Sequence, residues 1–157
     1  TSLGLFDYGL TSPFKMINSL SFVLKKRAII SIEHEYLDYS SAKLSSDFYR
    51  FSNENETINT AYTSTSNVKI GTEVRVHPQM SIRGGYAYYG SPFTDRNNDA
   101  SNEYLTFGLG LQINQYFFDL ALVNSYNRTT RSLYSGSEEA SLSNRNEQIL
   151  ISGGFKF

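Results

Sequence analysis

The chain has 157 residues, 14 Lys and Arg against 15 Asp and Glu, no Cys, no Trp, and 15% aromatics carried by 12 Tyr and 11 Phe. That length suits one domain, and a formal net charge of −1 gives no reason to expect a nucleic-acid partner. The missing cysteine excludes a disulfide framework and a cysteine-based zinc site, and no apolar run is long enough for a transmembrane helix, an exclusion that does not extend to strands.

Residues 1–10 open the chain ambiguously. Leu3 and Leu5 alternate with Gly4 and Phe6, but Gly4, Gly9 and the following Ser12-Pro13 favour a loop over a strand. Seven alternating stretches follow, each predicted as a strand. The first carries Phe14, Met16, Asn18, Leu20, Phe22 and Leu24 on one side; after Lys25-Lys26-Arg27, the second carries Ala28, Ile30, Ile32, His34 and Tyr36. A polar connection over 40–66 leads to Val68, Ile70, Thr72, Val74 and Val76. Beyond the turn His77-Pro78-Gln79 come Met80, Ile82, Gly84, Tyr86 and Tyr88. A second polar connection, 90–102, precedes Leu105, Phe107, Leu109, Leu111 and Ile113. Asn114-Gln115 then turns the chain into Phe118, Leu120, Leu122, Asn124 and Tyr126. The last connection, 127–146, leads to Ile149, Ile151, Gly153, Phe155 and Phe157.

None of these positions holds Asp, Glu, Lys or Arg. The opposite parity holds Lys15, Glu33, Glu35, Lys69, Glu73, Arg75, Arg83, Asp119 and Lys156. Lysine or arginine facing lipid at mid-depth costs roughly 2–4 kcal/mol, whereas a polar lumen tolerates charge. Strands of about 11 residues, tilted by about 40° with a rise of about 3.3 Å, cover roughly 28 Å, the thickness of a bilayer core. Tyrosines and phenylalanines gather near the strand ends (Tyr36, Tyr39, Tyr86, Tyr88, Tyr89, Tyr104, Tyr126, Phe155), where interfacial girdles sit. A soluble sandwich also alternates, but with shorter strands.

The expected fold is therefore all-β: an antiparallel up-and-down transmembrane barrel forming a single domain over 1–157, integral to a bacterial outer membrane. Short periplasmic turns and long extracellular loops are usual in such barrels, so 40–66, 90–102 and 127–146 are expected outside the cell. An odd strand count is unusual; it is what half of a larger barrel would give. The chain shows no leader at Thr1, so it reads as a mature chain or a piece of one.

Several strings carry a family resemblance: Thr11-Ser12-Pro13-Phe14-Lys15, Tyr36-Leu37-Asp38-Tyr39-Ser40-Ser41-Ala42-Lys43-Leu44, Asn67-Val68-Lys69-Ile70-Gly71-Thr72-Glu73-Val74-Arg75, Arg83-Gly84-Gly85-Tyr86-Ala87-Tyr88, and Ser91-Pro92-Phe93. With the terminal Phe, they resemble the C-terminal half of the FadL/TodX family of outer-membrane transport proteins, in a version like those of the Bacteroidetes. The resemblance runs from about Thr11 to Phe157. It implies a monomeric fourteen-stranded barrel taking up long-chain fatty acids or other hydrophobic compounds, with an N-terminal hatch and a lateral exit that have no counterpart in this chain. None of the matching strings is a ligand-binding signature. The alternative is a small structural or adhesive barrel of the OmpA type, with residues 1–10 as an eighth strand.

If the chain lines a channel, Lys69, Glu73, Arg75, Arg83 and Asp119 are the lumen candidates. Cations there could meet a fatty-acid carboxylate; the favoured reading pairs them across strands with Glu33, Glu35, Glu73 and Asp119. Inward Gly71, Gly85, Gly108, Gly110 and Gly154 either leave room or mark bends. Loop aromatics Phe48, Tyr49, Phe51, Tyr62, Phe93 and Tyr134 either capture ligand or pack the loops together. No enzyme is expected: His34 and His77 are the only histidines, His34 follows the apolar parity and His77 sits in a turn, so neither is set up as a general base. No cofactor or metal is expected either. The run Asp95-Arg96-Asn97-Asn98-Asp99 lacks the glycine and distal glutamate of an EF-hand, and Asn55-Glu56-Thr57 and Asn127-Arg128-Thr129 match the short glycosylation pattern without weight. Phe155 and Phe157 resemble the terminal signal read by the barrel-assembly machinery. Membrane lipid, lipopolysaccharide and a hydrophobic ligand complete the expected partners.

Overall fold

A computed structural model describes residues 7–95, 98–132 and 139–156. In chain order its elements are β1 (Gly9–Thr11), β2 (Phe14–Leu24), β3 (Ala28–Asp38), a 3-10 turn (Tyr39–Ser41), β4 (Lys43–Ser45), α1 (Ser52–Ala61), β5 (Ser64–His77), β6 (Met80–Tyr89), β7 (Asn102–Ile113), β8 (Tyr116–Ser132) and β9 (Glu139–Phe155). β1 and β4 pair with each other; the other seven strands form one antiparallel sheet in the order β2-β3-β5-β6-β7-β8-β9. The fold is all-β, and every alternating stretch becomes a strand of one meander.

Register carries the alternation across the whole sheet. Ser21 pairs with Ser31, Ser31 with Gly71, Gly71 with Gly85, and Gly85 with Thr106, so one small-residue row runs through five strands. A slip of one residue anywhere would move every side chain beyond it to the other face. None occurs between β2 and β9 except a bulge between Arg75 and His77, at the end of β5.

The sheet is one layer thick. Among the described residues there is no buried hydrophobic side chain, and the apolar rows lie open: Leu105 is 64% exposed, Phe107 48% and Ile70 44%. A water-soluble sandwich would bury these rows against a second sheet. Among the described residues no second sheet covers them: β1 pairs with β4, and α1 packs on β4 and the 3-10 turn. Among the described residues no helix is long and apolar enough to cross a membrane, which says nothing about strands.

At one end the strands join through short turns. Lys25 and Lys26 both have positive φ, 47° and 56°, and the Arg27 N–H donates to the Leu24 carbonyl at 2.9 Å, the pattern of a type I′ turn. Such turns favour Asn-Gly; left-handed lysines cost roughly 1–2 kcal/mol each. Asn114, φ 54°, occupies the same region with the side chain that tolerates it best after glycine. Neighbouring turns are tied by backbone bonds: Arg75 N to Arg27 O at 2.7 Å, Gln112 N to Gln79 O at 2.8 Å, and Lys156 N to Gln115 O at 2.8 Å.

The other end departs from expectation in three ways. Part of 127–146, expected as a loop, continues the β8–β9 ladder, from Asn127 opposite Asn144 to Ser132 opposite Glu139. The residues from Asn127 to Thr130 and from Ser141 to Asn144 show no apolar parity that would mark them as strand. Within 40–66, β4 and α1 take the place of a plain loop, and β5 begins at Ser64. Gly9-Leu10-Thr11 pairs with Lys43-Leu44-Ser45 and not with the main sheet. Residues 1–6, Arg96, Asn97, Tyr134 and Phe157 lie outside the described residues.

Candidate functional site on the polar face

The concavities of the sheet lie mainly on its polar face, and two belts of ion pairs cross it. In the belt nearer the long connections, Lys15 Nζ meets Glu35 Oε2 at 2.5 Å, and Asn67 Nδ2 donates to Glu35 Oε1 at 2.7 Å. Asn67 Oδ1 accepts from the Gly90 N–H at 3.0 Å, so the connection after β6 is anchored to the wall. Glu35 and Asn67 are 7% and 4% exposed, the deepest polar pair among the described residues. A carboxylate this buried holds its charge because a cation and an amide donor face it. One step down the face, Lys69 Nζ donates to Glu33 Oε1 at 2.8 Å, Ser19 Oγ donates to Glu33 Oε2 at 3.3 Å, and the Lys69 ammonium lies 5.6 Å from the Tyr89 ring centre.

The second belt centres on Arg83. Its Nε donates to Glu73 Oε2 at 2.8 Å on the adjacent β5, and its Nη1 donates to Asp119 Oδ1 at 2.6 Å on β8. To reach β8 the guanidinium must pass over β7, and there β7 presents Gly108 and Gly110, both buried beneath it. A Cβ at Gly110 would stand 2.8 Å from Asp119 Oδ1 and 3.3 Å from Arg83 Nη1. Glycine at this position leaves the bridge its room; a larger residue would push the ends of both side chains aside. The freedom at Gly71 is different, since a Cβ there meets nothing within 4 Å.

Between the belts, the row Ser21-Ser31-Gly71-Gly85-Thr106 forms a floor of small side chains. Two shallow hollows of about 390 and 460 Å³ lie over it, one towards Glu33 and Lys69, the other towards Arg83 and Asp119. A third hollow of about 560 Å³ opens towards the short turns, beside Arg75, Gln112, Phe117 and Lys156.

The structure therefore brings Glu73, Arg83 and Asp119 together and places Lys69 with Glu33. Arg75 stands apart and makes no ion pair among the described residues. Asn67 was not among the sequence candidates; the available signal was an uncharged polar residue in the inward parity, which no periodicity count ranks. Of the loop aromatics, Tyr62 and Phe93 stack at 5.4 Å across a backbone bridge that joins the end of α1 to the next connection. Tyr49 and Phe51 meet edge to face at 4.8 Å, while Phe48 is 85% exposed. Tyr49 also donates to Glu54 Oε1 at 3.0 Å, and that carboxylate raises the phenol above its ordinary pKa. Asn55 accepts from Leu44 N at 2.8 Å and donates to Leu44 O at 2.9 Å, so its amide completes the free edge of β4. His34 lies on β3 opposite Val68, and the His77 Nδ1 accepts from Gln79 N at 3.4 Å within its turn. Comparison of the chain with protein-family models, with curated proteins and with solved structures gives no match.

Proposed function

We propose that this chain forms wall strands of an outer-membrane β-barrel through which hydrophobic compounds, long-chain fatty acids among them, are taken up. One observation carries the membrane assignment: a single-layer sheet exposes every apolar row on one face and pairs nearly all its wall charges on the other. Water would penalise that uncharged face, and hydrocarbon would solvate it. The outer edges of β2 and β9 pair with no strand among the described residues. Backbone groups in lipid must be satisfied, so the wall continues onto further strands, in keeping with half of a fourteen-stranded barrel. The transport assignment draws on the strings that resemble those of the FadL/TodX family and on the hollowed floor of the polar face.

The two halves of the reading separate in one preparation. Liposomes carrying the chain joined to the strands that complete its wall are scored for membrane insertion by protease protection, and for uptake of a labelled long-chain fatty acid against empty liposomes. The expected result is protected strands and faster uptake, with Gly71→Trp inserting normally but slowing uptake by filling the floor. Insertion with uptake equal to that of empty liposomes would end the transport assignment and leave the wall; failure to insert would end both.

A further inference from the structure

We propose that the short-turn end is a docking surface for the phosphate groups of anionic phospholipids, with Lys25, Lys26, Arg27 and Arg75 as its cations. The inference rests on the membrane reading above, because only a sheet set in lipid brings this end level with headgroups.

Three observations converge on it. The first is charge. A hollow of about 330 Å³ is lined by those four cations together with Val76, His77 and Pro78, and by no carboxylate. None of the four makes an ion pair among the described residues, whereas Lys15, Lys69 and Arg83 are all matched. Lys156, tied to the last turn through its backbone, adds a further cation to the same end. The turn segments hold no Asp or Glu, so the carboxylates of a nearly neutral chain lie elsewhere.

The second is backbone conformation. Lys25 and Lys26 both occupy left-handed positions that asparagine and glycine fill at ease. Folding alone gives no reason for lysine there, and strain of this kind accompanies a functional demand on the side chains. The bond from Arg75 N to Arg27 O fixes the two basic segments side by side, so the spacing of the cations is set by the sheet and not by flexible loops.

The third is what lies next to the cations. Leu24 and Val76, 49% and 47% exposed, end the apolar rows at the turns. A phosphate held by an arginine fork and lysine point charges would carry acyl chains directly onto these rows. A free phosphate would use the cations and leave that apolar border idle, which is why the lipid is the occupant proposed.

The test is competitive lipid retention by the chain joined to the strands that complete its wall, purified in neutral detergent micelles, offered equal amounts of phosphatidylcholine and phosphatidylglycerol and read by native mass spectrometry. The native chain should retain phosphatidylglycerol about tenfold over phosphatidylcholine, from an attraction of about one tenfold-equivalent or more shared among the cations. Lys25→Asn/Lys26→Gly gives the turn its preferred residues while removing two charges, so the variant should fold at least as well and lose most of the preference. Arg27→Gln, which leaves the left-handed positions untouched, should lower it independently. Millimolar inorganic phosphate should leave the preference standing. Equal retention of the two lipids by the native chain, an unchanged preference in both variants, or full displacement by inorganic phosphate would each overturn the proposal. Insertion of the native chain into pure phosphatidylcholine vesicles reports on the membrane assignment separately: insertion without lipid preference fails this proposal alone.

Discussion

The two faces of the sheet use the same backbone under opposite rules. Ile70 and Gly71 are adjacent, yet Ile70 shares its side of β5 with Val68, Thr72 and Val74, none of them charged, and Gly71 lies in a row flanked by ion pairs. On the apolar face nothing needs a particular neighbour, and identity is relaxed to any uncharged, mostly bulky residue. On the polar face Lys15, Glu33, Glu35, Lys69, Glu73, Arg83 and Asp119 are each matched to a partner, and Gly110 lies under the pair that passes over it. The difference teaches that one face is specified by its solvent and the other by its contacts. Substitutions should therefore fail for different reasons on the two sides.

The largest effect is expected from breaking the solvent rule. Ile70→Arg should destabilise the chain in lipid by about 2–4 kcal/mol, measured by denaturant unfolding from vesicles. A change indistinguishable from that of a polar-face substitution would remove the difference between the faces. Next comes the contact rule. Arg83→Met leaves Glu73 and Asp119 facing each other uncompensated and should cost about 1–2 kcal/mol, a modest figure because all three side chains are 30% or more exposed. Gly110→Val should cost about as much by displacing the same bridge, and the double variant should cost clearly less than the sum, by about 0.5 kcal/mol or more. Full additivity would show that Gly110 is not there for Arg83. Replacing Lys25-Lys26 with Asn-Gly should raise stability by about 1 kcal/mol through the relaxed turn. Gly71→Ser should stay within about 0.5 kcal/mol of the parent, since a Cβ there meets open space.

The apolar face was almost wholly legible in the sequence, because a strand with one uncharged and one charged side alternates with period two, which any reader can count. Phe14 to Leu24 and Met80 to Tyr88 fell within a residue of the observed strands. The strand segments beyond Asn127 and before Asn146 were not legible: with polar surroundings on both sides, Asn127, Arg128 and Thr129 carry no alternation. Helix α1 was hidden for a related reason. Its residues Ser52 to Ala61 bury no side chain, and it is held by Asn55 reaching a backbone that only the fold brings near. On the polar face the charges were visible but their partners were only partly so. Lys69 lies directly opposite Glu33 in the ladder, whereas Arg83 reaches Asp119 across an intervening strand. The glycine that permits this reach looked, in the sequence, no different from Gly71.

The margins of β2 and β9, unpaired among the described residues, bear on how such a chain travels. Each offers a row of vacant amide and carbonyl groups to any extended peptide it meets, and β9 brings Leu142, Ile149 and Ile151 along with it, all strongly exposed. Held in water before it finds hydrocarbon, the polypeptide would serve as a template for its own copies and grow into aggregates. On the membrane assignment proposed above, safe passage to the bilayer calls for an escort that occupies those two borders until permanent neighbours take its place.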